Sequence, residues 1–485
     1  MKKNLTKSFV LGIISAVALA LAACGGGDDA PQATPAPTPA PDAPAVVEPI
    51  PAEIDEPTEE EGEVVRDLGG LEIVIGNWWG DMDTDSYVPE TAHAEAMLDQ
   101  RIYFQERYNF RVVERFIAGW GEMAEVAATS IIGGDPAATV FILEPQWWSP
   151  LQVQGMWAPL EGPSIDFTNR DYVSWNLNMI NATEVGGVPY AFVNTDLVGG
   201  GIFFNLRLFE EAGLDAELPF DLLMAGDWTW DAFIDIAMQL NRDVDNDGVI
   251  DVWGCAGGGG WAFQKALASN NASYVVRHGD GTFENATNTP EFAETMNWIR
   301  SWQELGFVMP TVEGGEWNWW MEAFATGQAA MTSGFDWMSW GDLGGMSDTI
   351  GFVPFPMGPR ATQHQFSATT NLHAIPHQYA DRVDDIMFAL GLWWTEPEGW
   401  RDPYGWVSTA FTLFAHPRSV EESLVLFNRN QDLIFPPLQL FIPGLDSGGT
   451  GALFDWHVWD LEQDVSGLIE AAQGQVNSLV DEANS

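Results

Sequence analysis

The sequence predicts a mixed α/β protein with more than one domain, preceded by a segment outside the fold. The chain has 485 residues, 46% of them hydrophobic. That is longer than a single hydrophobic core usually accommodates, since single cores stop growing near roughly 250–300 residues. From residue 71 onward, apolar segments of strand length alternate with amphipathic segments of helix length. That alternation is typical of parallel βαβ units.

The first 23 residues predict a lipoprotein signal peptide. Lys2, Lys3 and Lys7 form a positive segment, and an apolar stretch over 9–21 follows it. This stretch is too short for a comfortable transmembrane span, which needs about 20 apolar residues. Residues 21–24 (Leu-Ala-Ala-Cys) then resemble a bacterial lipobox. The resemblance implies that a diacylglycerol is attached to Cys24, which would anchor the protein to the outer face of the cell membrane.

Residues 24–68 predict an unfolded tether. Pro, Ala, Asp and Glu dominate this stretch, and residues 34–41 alternate proline with small residues in a pattern that favours extended polyproline. About 40 residues in that conformation would reach on the order of 100 Å from the membrane. We expect no binding chemistry there.

The charge excludes one class of partner. The formal net charge is −51, from 19 Lys and Arg against 70 Asp and Glu. Such a field repels phosphate backbones, so we expect no nucleic-acid binding.

Tryptophan follows each of the first three predicted strands, over 71–75, 110–116 and 139–143. In parallel sheets, ligands bind beyond the carboxyl ends of the strands. Tryptophan presents a broad apolar face that suits a pyranose ring, and carboxylates and amides bind its hydroxyls. The chain has 24 tryptophans, most of which we expect in the core. The candidate ligand residues in these loops are Trp78, Trp79, Trp120, Glu144 and Trp147, with one of each adjacent tryptophan pair (78–79 and 147–148) expected to face the ligand.

Motifs from residue 187 onward resemble those of extracellular solute-binding proteins of the maltose-binding type, family 1. The family's pattern "G-x-x-Y-x-x-P … Y-Y-N-K-x-x-F-x-x-A-G-L … T-W-x-E-L" is matched here by Gly187, Tyr190, Asn205, Phe209, Ala212, Gly213, Leu214, Thr229 and Trp230. The sequence departs from it at Val193, Leu206 and Ala232. Residues 322–331 and 351–356 also resemble family segments, so the likeness covers about residues 70–400.

The resemblance implies a type II periplasmic-binding-protein fold, in which two α/β lobes joined by a multi-crossing hinge enclose a central ligand cleft. We expect lobe 1 to comprise 69–193 and 358–405, and lobe 2 to comprise 194–357 and 406–485. The implied function is that of a monomeric, extracytoplasmic binding protein of an ABC importer. It would capture a carbohydrate by hinge closure, deliver it to the permease and catalyse no reaction. The tryptophans favour an oligosaccharide as that carbohydrate.

Further candidate ligand residues lie in loops and crossing segments beyond the first sheet. Trp337 follows a predicted strand at a place where the family often supplies a stacking aromatic residue. The remaining candidates are Asn194, Asp196, Trp261, Trp319 and Asp336.

One loop has the pattern of a calcium site. Asp243, Asp245, Asp247 and Asp251 occupy positions 1, 3, 5 and 9 of an EF-hand-type loop, and Val249 could offer its carbonyl at position 7. Position 12 is Gly254 rather than the usual bidentate Glu, so the ligand set is incomplete. The alternative is a calcium-free turn. No cofactor is required; a calcium ion here would be structural.

Two alternatives stay open on the sequence alone. A secreted glycoside hydrolase would also be rich in tryptophan and carboxylates, and would need two carboxyl groups about 5–10 Å apart across the sugar. A binding protein of the same fold could instead take a non-sugar solute, although the acidic charge disfavours anions.

Overall fold

The computed structural model describes residues 65–485 apart from 90, 170–172, 174, 195–198, 258, 313–314, 317, 340, 368–370, 401–409, 412, 415, 427–433, 447, 456 and 460. The predicted signal peptide, Cys24, most of the tether and Asp196 lie outside the described residues. Within the described part of the chain, no helix combines the length and apolar character needed to cross a membrane.

Lobe 1 is built on a five-stranded sheet in the order β13-β4-β1-β3-β2. The strand β1 pairs in parallel with β3 and β4, whereas β2 and β13 are antiparallel. The strands of this sheet are β1 (Leu71–Asn77), β2 (Met82–Asp83), β3 (Phe110–Phe116), β4 (Val140–Leu143) and β13 (Leu372–Ala374). The helices are α1 (Ala92–Tyr108), α2 (Met123–Ile132), α3 (Pro145–Val153), α4 (Leu177–Ala182) and α11 (Val383–Trp394), with a hairpin of β5 (Glu184–Val185) and β6 (Val188–Pro189).

The alternation of side chains in these strands gives lobe 1 two apolar faces. Ile73 and Ile75 of β1 point to one face and pack in a core with Leu390 of α11. Phe141 of β4 points to the other and packs with Met123 of α2. Successive side chains of a strand point to opposite faces of the sheet, so a nearly continuous apolar run places apolar side chains on both faces. Helices therefore cover the sheet on both sides and leave its strand ends free.

Lobe 2 is built on a three-stranded antiparallel sheet in the order β10-β7-β11. Its strands are β7 (Gly200–Asn205), β10 (Met331–Phe335) and β11 (Ile350–Pro354), with shorter pairs β8 (Val275–Arg277) with β9 (Phe283–Asn285) and β12 (Phe366–Ser367) with β14 (Ile434–Phe435). Its helices are α5 (Leu206–Glu211), α6 (Leu218–Ala225), α7 (Trp230–Leu240), α8 (Gly259–Ser269), α9 (Pro290–Glu304), α10 (Trp319–Ala325), α12 (Ala452–Asp455) and α13 (Val465–Ala483).

The core of lobe 2 is aromatic. Trp228, Phe233 and Trp302 are fully buried within it, and Trp230 and Trp298 stack with ring centroids 4.2 Å apart. These contacts show that several of the 24 tryptophans are core residues, as the sequence predicted for most of them.

Residues 358–367, which the sequence predicted to belong to lobe 1, contact lobe 2. Gly358 donates its N–H to Ser269 O at 2.9 Å, Arg360 pairs with Glu294, and Phe366 packs in a lobe 2 core. This segment therefore packs with lobe 2, whereas Leu372 of β13 pairs in the lobe 1 sheet.

Two predicted loops begin helices instead. Residues 144–148 were expected as a loop, yet α3 starts at Pro145, a residue preformed for the first helical position. Trp261 was expected in a loop after the glycine run, yet it lies in the first turn of α8. The strand prediction over 110–116 is confirmed.

Candidate ligand-binding cleft

Four tryptophans gather at the carboxyl ends of the parallel strands of lobe 1. The ring centroids of Trp78 and Trp79 lie 5.1 Å apart, those of Trp78 and Trp147 lie 5.7 Å apart, and those of Trp120 and Trp147 lie 4.8 Å apart. All three pairs meet edge to face. We call these four residues the lobe 1 shelf. The structure therefore brings together side chains from three separate predicted loops.

The exposed members of each tryptophan pair can now be assigned. Trp79 is 56% exposed and Trp120 is 51% exposed, whereas Trp78 packs against both cores of the lobe. Trp148 is buried in one core, and its neighbour Trp147 is only partly buried on the shelf. Trp79, Trp120 and Trp147 therefore present ring surface to solvent, whereas Trp148 does not.

Glu144 is the carboxylate of the shelf. It accepts a hydrogen bond from Trp120 Nε1 at 2.8 Å through Oε1, and another from Gln146 Nε2 at 2.8 Å through Oε2. Burial raises the pKa of Glu144, and the bond from Trp120 opposes that shift. The carboxylate therefore fixes one indole edge while keeping acceptor capacity for a hydroxyl group.

Lobe 2 carries a second group of aromatic side chains at the end of β10. The ring centroid of Trp261 lies 5.5 Å from that of Trp320, 5.6 Å from that of Phe335 and 6.5 Å from that of Trp337. Trp319 joins through Trp320 at 6.2 Å. We call these five residues the lobe 2 cluster. The predicted residues Trp261, Trp319 and Trp337 therefore lie close together.

Asp336 connects this cluster to the first interlobe crossing. Its N–H donates to Gly199 O at 3.2 Å, and its Oδ1 accepts from the Trp337 N–H at 3.0 Å. The side chain is nearly buried, and within the described residues Oδ2 has no hydrogen-bond partner. Burial raises the pKa of Asp336 to about 7.

Lys265 is a residue of this region that the sequence reasoning missed. It is fully buried, its Nζ donates to Trp261 O at 3.1 Å, and the same atom lies 3.9 Å from the ring centroid of Phe335. Burial holds the pKa of Lys265 well below its usual range. A signal was available, because the other three lysines of the chain lie within the first seven residues.

A cavity of about 250 Å³ lies beside the shelf on lobe 1. Trp79 and Asn194, both predicted site residues, line it. Its other polar or aromatic lining residues, Glu114, Asn371, His373 and Trp394, were not predicted to be site residues. Glu114 lies in β3, Asn371 directly precedes β13, His373 lies in β13, and Trp394 ends α11. These residues are brought together by the order of the strands and by the packing of α11 on the sheet.

The predicted calcium loop has a compact acidic core. Carboxylate oxygens of Asp243, Asp245 and Asp247 lie within 4.8 Å of one another. Asp251 is not in this group and accepts a hydrogen bond from the Val244 N–H at 2.7 Å, and the three grouped carboxylates also accept from N–H groups of the loop. Three of the predicted calcium ligands therefore lie close together, and Asp251 is not one of them.

Comparison with known proteins assigns the chain to a family. The fold and the paired aromatic surfaces define a two-lobed binding protein. The family model described as bacterial extracellular solute-binding protein matches residues 85–395, and the chain belongs to this family. The predicted family and fold class are thus confirmed, and membership implies an extracytoplasmic location. Among curated proteins, none matches this sequence.

Solved structures share the fold at low sequence identity. UgpB from Mycobacterium tuberculosis, in complex with glycerophosphocholine, is 17% identical with a TM-score of 0.59, over 85% of this chain and 100% of that one. The cyclic alpha-maltosyl-1,6-maltose binding protein from Arthrobacter globiformis is 16% identical with a TM-score of 0.59, over the same shares. The substrate-binding protein Lmo0181 from Listeria monocytogenes, in complex with cycloalternan, is 18% identical with a TM-score of 0.54, over 84% and 98%.

Proposed function

We propose that this protein is the substrate-binding component of an ABC importer and that its ligand is a neutral carbohydrate, in particular an oligosaccharide. The observation that carries the proposal is that each lobe has a tryptophan beside a carboxyl group, exposed on lobe 1 and partly buried on lobe 2. Trp120 with Glu144 provides them on lobe 1, and Trp337 with Asp336 on lobe 2. Apolar ring faces and hydrogen-bond acceptors are what a pyranose requires.

Hinge closure is the mechanism we propose. A ligand that contacts both lobes binds the closed form more tightly than the open form and so shifts the equilibrium between them. The closed form would then dock on a membrane permease. Several solved structures that share this fold hold sugars, among them a cyclo/maltodextrin-binding protein complexed with maltotetraose, and this supports the proposed ligand class.

A membrane anchor completes the proposal. We propose that Cys24 is lipidated, that residues 24–68 form the tether, and that the protein works as a monomer on the outer face of the membrane. Detergent phase partitioning tests the anchor: the full chain should enter the detergent phase, and Cys24→Ala should stay in the aqueous phase. Equal partitioning of the two forms would contradict lipidation.

One titration distinguishes a sugar-binding protein from an enzyme that cleaves the sugar. Residues 66–485 are titrated with maltotetraose, cellotetraose and mannotetraose while tryptophan fluorescence is followed, and each sample is then assayed for products. We expect saturation at micromolar sugar with the sugar unchanged. Trp120→Ala should weaken binding at least tenfold, because aromatic stacking and burial are lost. Tyr103→Ala, which removes an exposed aromatic ring of α1, is the matched control.

Cleavage of a tetraose would instead identify a glycoside hydrolase. Saturable binding of a non-sugar solute, with no response to any sugar, would keep the family assignment and overturn the ligand class.

We also propose a structural calcium ion in the loop over 243–251. The grouped carboxylates of Asp243, Asp245 and Asp247 support it, and an ion bound only by the folded state raises the melting temperature. Millimolar CaCl2 should raise the melting temperature of the wild type and leave that of Asp245→Ala unchanged. An equal response of the two proteins would contradict the site.

A further inference from the structure

We infer that the cavity behind Trp79 is a separate pocket for one terminal, uncharged ring of the ligand. The inference rests on the proposed carbohydrate function and names a part of the ligand site that the shelf does not contain.

The size and lining of the cavity suit a single ring. Its volume is about 250 Å³, below the roughly 300–1,000 Å³ that is usual for larger ligands. Trp79 forms an exposed rim that the cavity shares with the shelf, and Trp394 closes another side. A chain of sugars lying on the shelf could therefore place only its end unit here.

Polar groups in the cavity are placed to recognise hydroxyl groups. His373 is only 8% exposed, and within the described residues its Nδ1 has no hydrogen-bond partner. Its ring is held by stacking on Phe192, with centroids 5.2 Å apart. The amide side chains of Asn194 and Asn371 add both donors and acceptors. An unpartnered buried nitrogen costs free energy that a bound hydroxyl would recover.

Charge in the cavity favours a neutral ring. Burial raises the pKa of the Glu114 carboxyl, and the Arg101 guanidinium opposes that shift. Burial also lowers the pKa of His373 to about 4, so its imidazole is neutral at pH 7. Among the described residues that line it, the cavity therefore offers no cation to an anionic group, whereas the Glu114 carboxylate accepts from hydroxyl donors.

The test compares pocket and shelf variants of residues 66–485. The double variant Asn194→Ala/Asn371→Ala is titrated with whichever of the three linear tetraoses the wild type binds most tightly. We expect a loss of roughly tenfold or more for two hydrogen-bonding groups. Asn297→Ala, on the exposed side of α9, is the matched control, and thermal melts establish that each variant is folded.

Combination with Trp120→Ala then separates the pocket from the shelf. If the two sites hold different rings, their fold losses multiply, as for independent sites. A combined loss no greater than that of Trp120→Ala alone would overturn the separate pocket, and so would an unchanged affinity in the double Asn variant. If the wild type binds no sugar, the proposed function fails and this inference falls with it.

Discussion

At the scale of single residues, the candidate sites of both lobes contain buried carboxyl groups whose ionised form destabilises the folded state. Asp336 is only 4% exposed and keeps one carboxyl oxygen without a partner among the described residues. Burial without a compensating cation favours the protonated acid. Such a group is retained at a cost in stability, and perturbed carboxyl groups of this kind gather at functional sites.

Asp336→Asn tests that cost. The folded-state pKa of about 7 lies above the ordinary value of 3.8, so the folded protein binds more protons than the unfolded chain between these values. The wild type should therefore lose up to about 4 kcal/mol of unfolding free energy as the pH rises from 4 to 8. The isosteric variant Asp336→Asn has no ionisable group at this position, so it should not lose unfolding free energy in this way.

Urea unfolding at pH 4, 6 and 8 measures the difference. The stability of Asp336→Asn relative to the wild type should rise steadily with pH. Asp235→Asn, at an exposed position of α7, is the control and should show no such trend. A constant difference between wild type and Asp336→Asn across the three pH values would show that Asp336 stays ionised in the folded protein.

At the scale of elements, the sequence predicted the strands and helices of lobe 1 better than the points at which two helices begin. Apolar β-branched runs identify β1, β3 and β4 directly. The run of glycines before α8 indicated a loop, but α8 begins within it. An ideal Cβ at Gly260 would lie 2.9 Å from Asp455 Cβ. Close packing against α12 therefore selects glycine there, and a local pattern cannot report a contact almost 200 residues away.

The strand β7 makes a similar demand at Gly201. In the ladder this residue lies between Gly334 of β10 and Pro354 of β11. An ideal Cβ would lie 2.6 Å from the Phe352 ring and clash with Val353 O. Gly201→Ala should therefore destabilise the protein by about 1–3 kcal/mol, the usual cost of overpacking a core.

Chemical denaturation checks the Gly201 prediction against a glycine in open space. Gly279 is exposed, and an added Cβ there meets no atom within 4 Å. Gly279→Ala should change stability by less than about 0.5 kcal/mol. Equal effects of the two substitutions would mean that β7 and β11 separate easily enough to admit the methyl group.

At the scale of the whole molecule, the ligand site is assembled from distant parts of the chain. The sequence predicted the shelf because its tryptophans directly follow strands. It could not predict the cavity, because Glu114 and His373 meet only through the sheet order β13-β4-β1-β3. Parallel pairing of β1 with β3 and β4 could be inferred from the pattern, whereas the antiparallel addition of β13 more than 200 residues later could not.

The net charge of −51 supplies a prediction that concerns the molecule as a whole. Mutual repulsion of the acidic groups opposes the compact state and is screened by salt. The screening length falls from about 30 Å at 0.01 M salt to about 8 Å at 0.15 M. The melting temperature should therefore rise over that range of NaCl, while the affinity for a neutral sugar stays nearly constant. Calorimetric melts and titrations in the same buffers measure both quantities. An affinity that falls steeply with salt would identify a cationic ligand, because only a charged ligand is attracted by the field that the salt screens. That result would overturn the carbohydrate proposal and leave the family assignment in place.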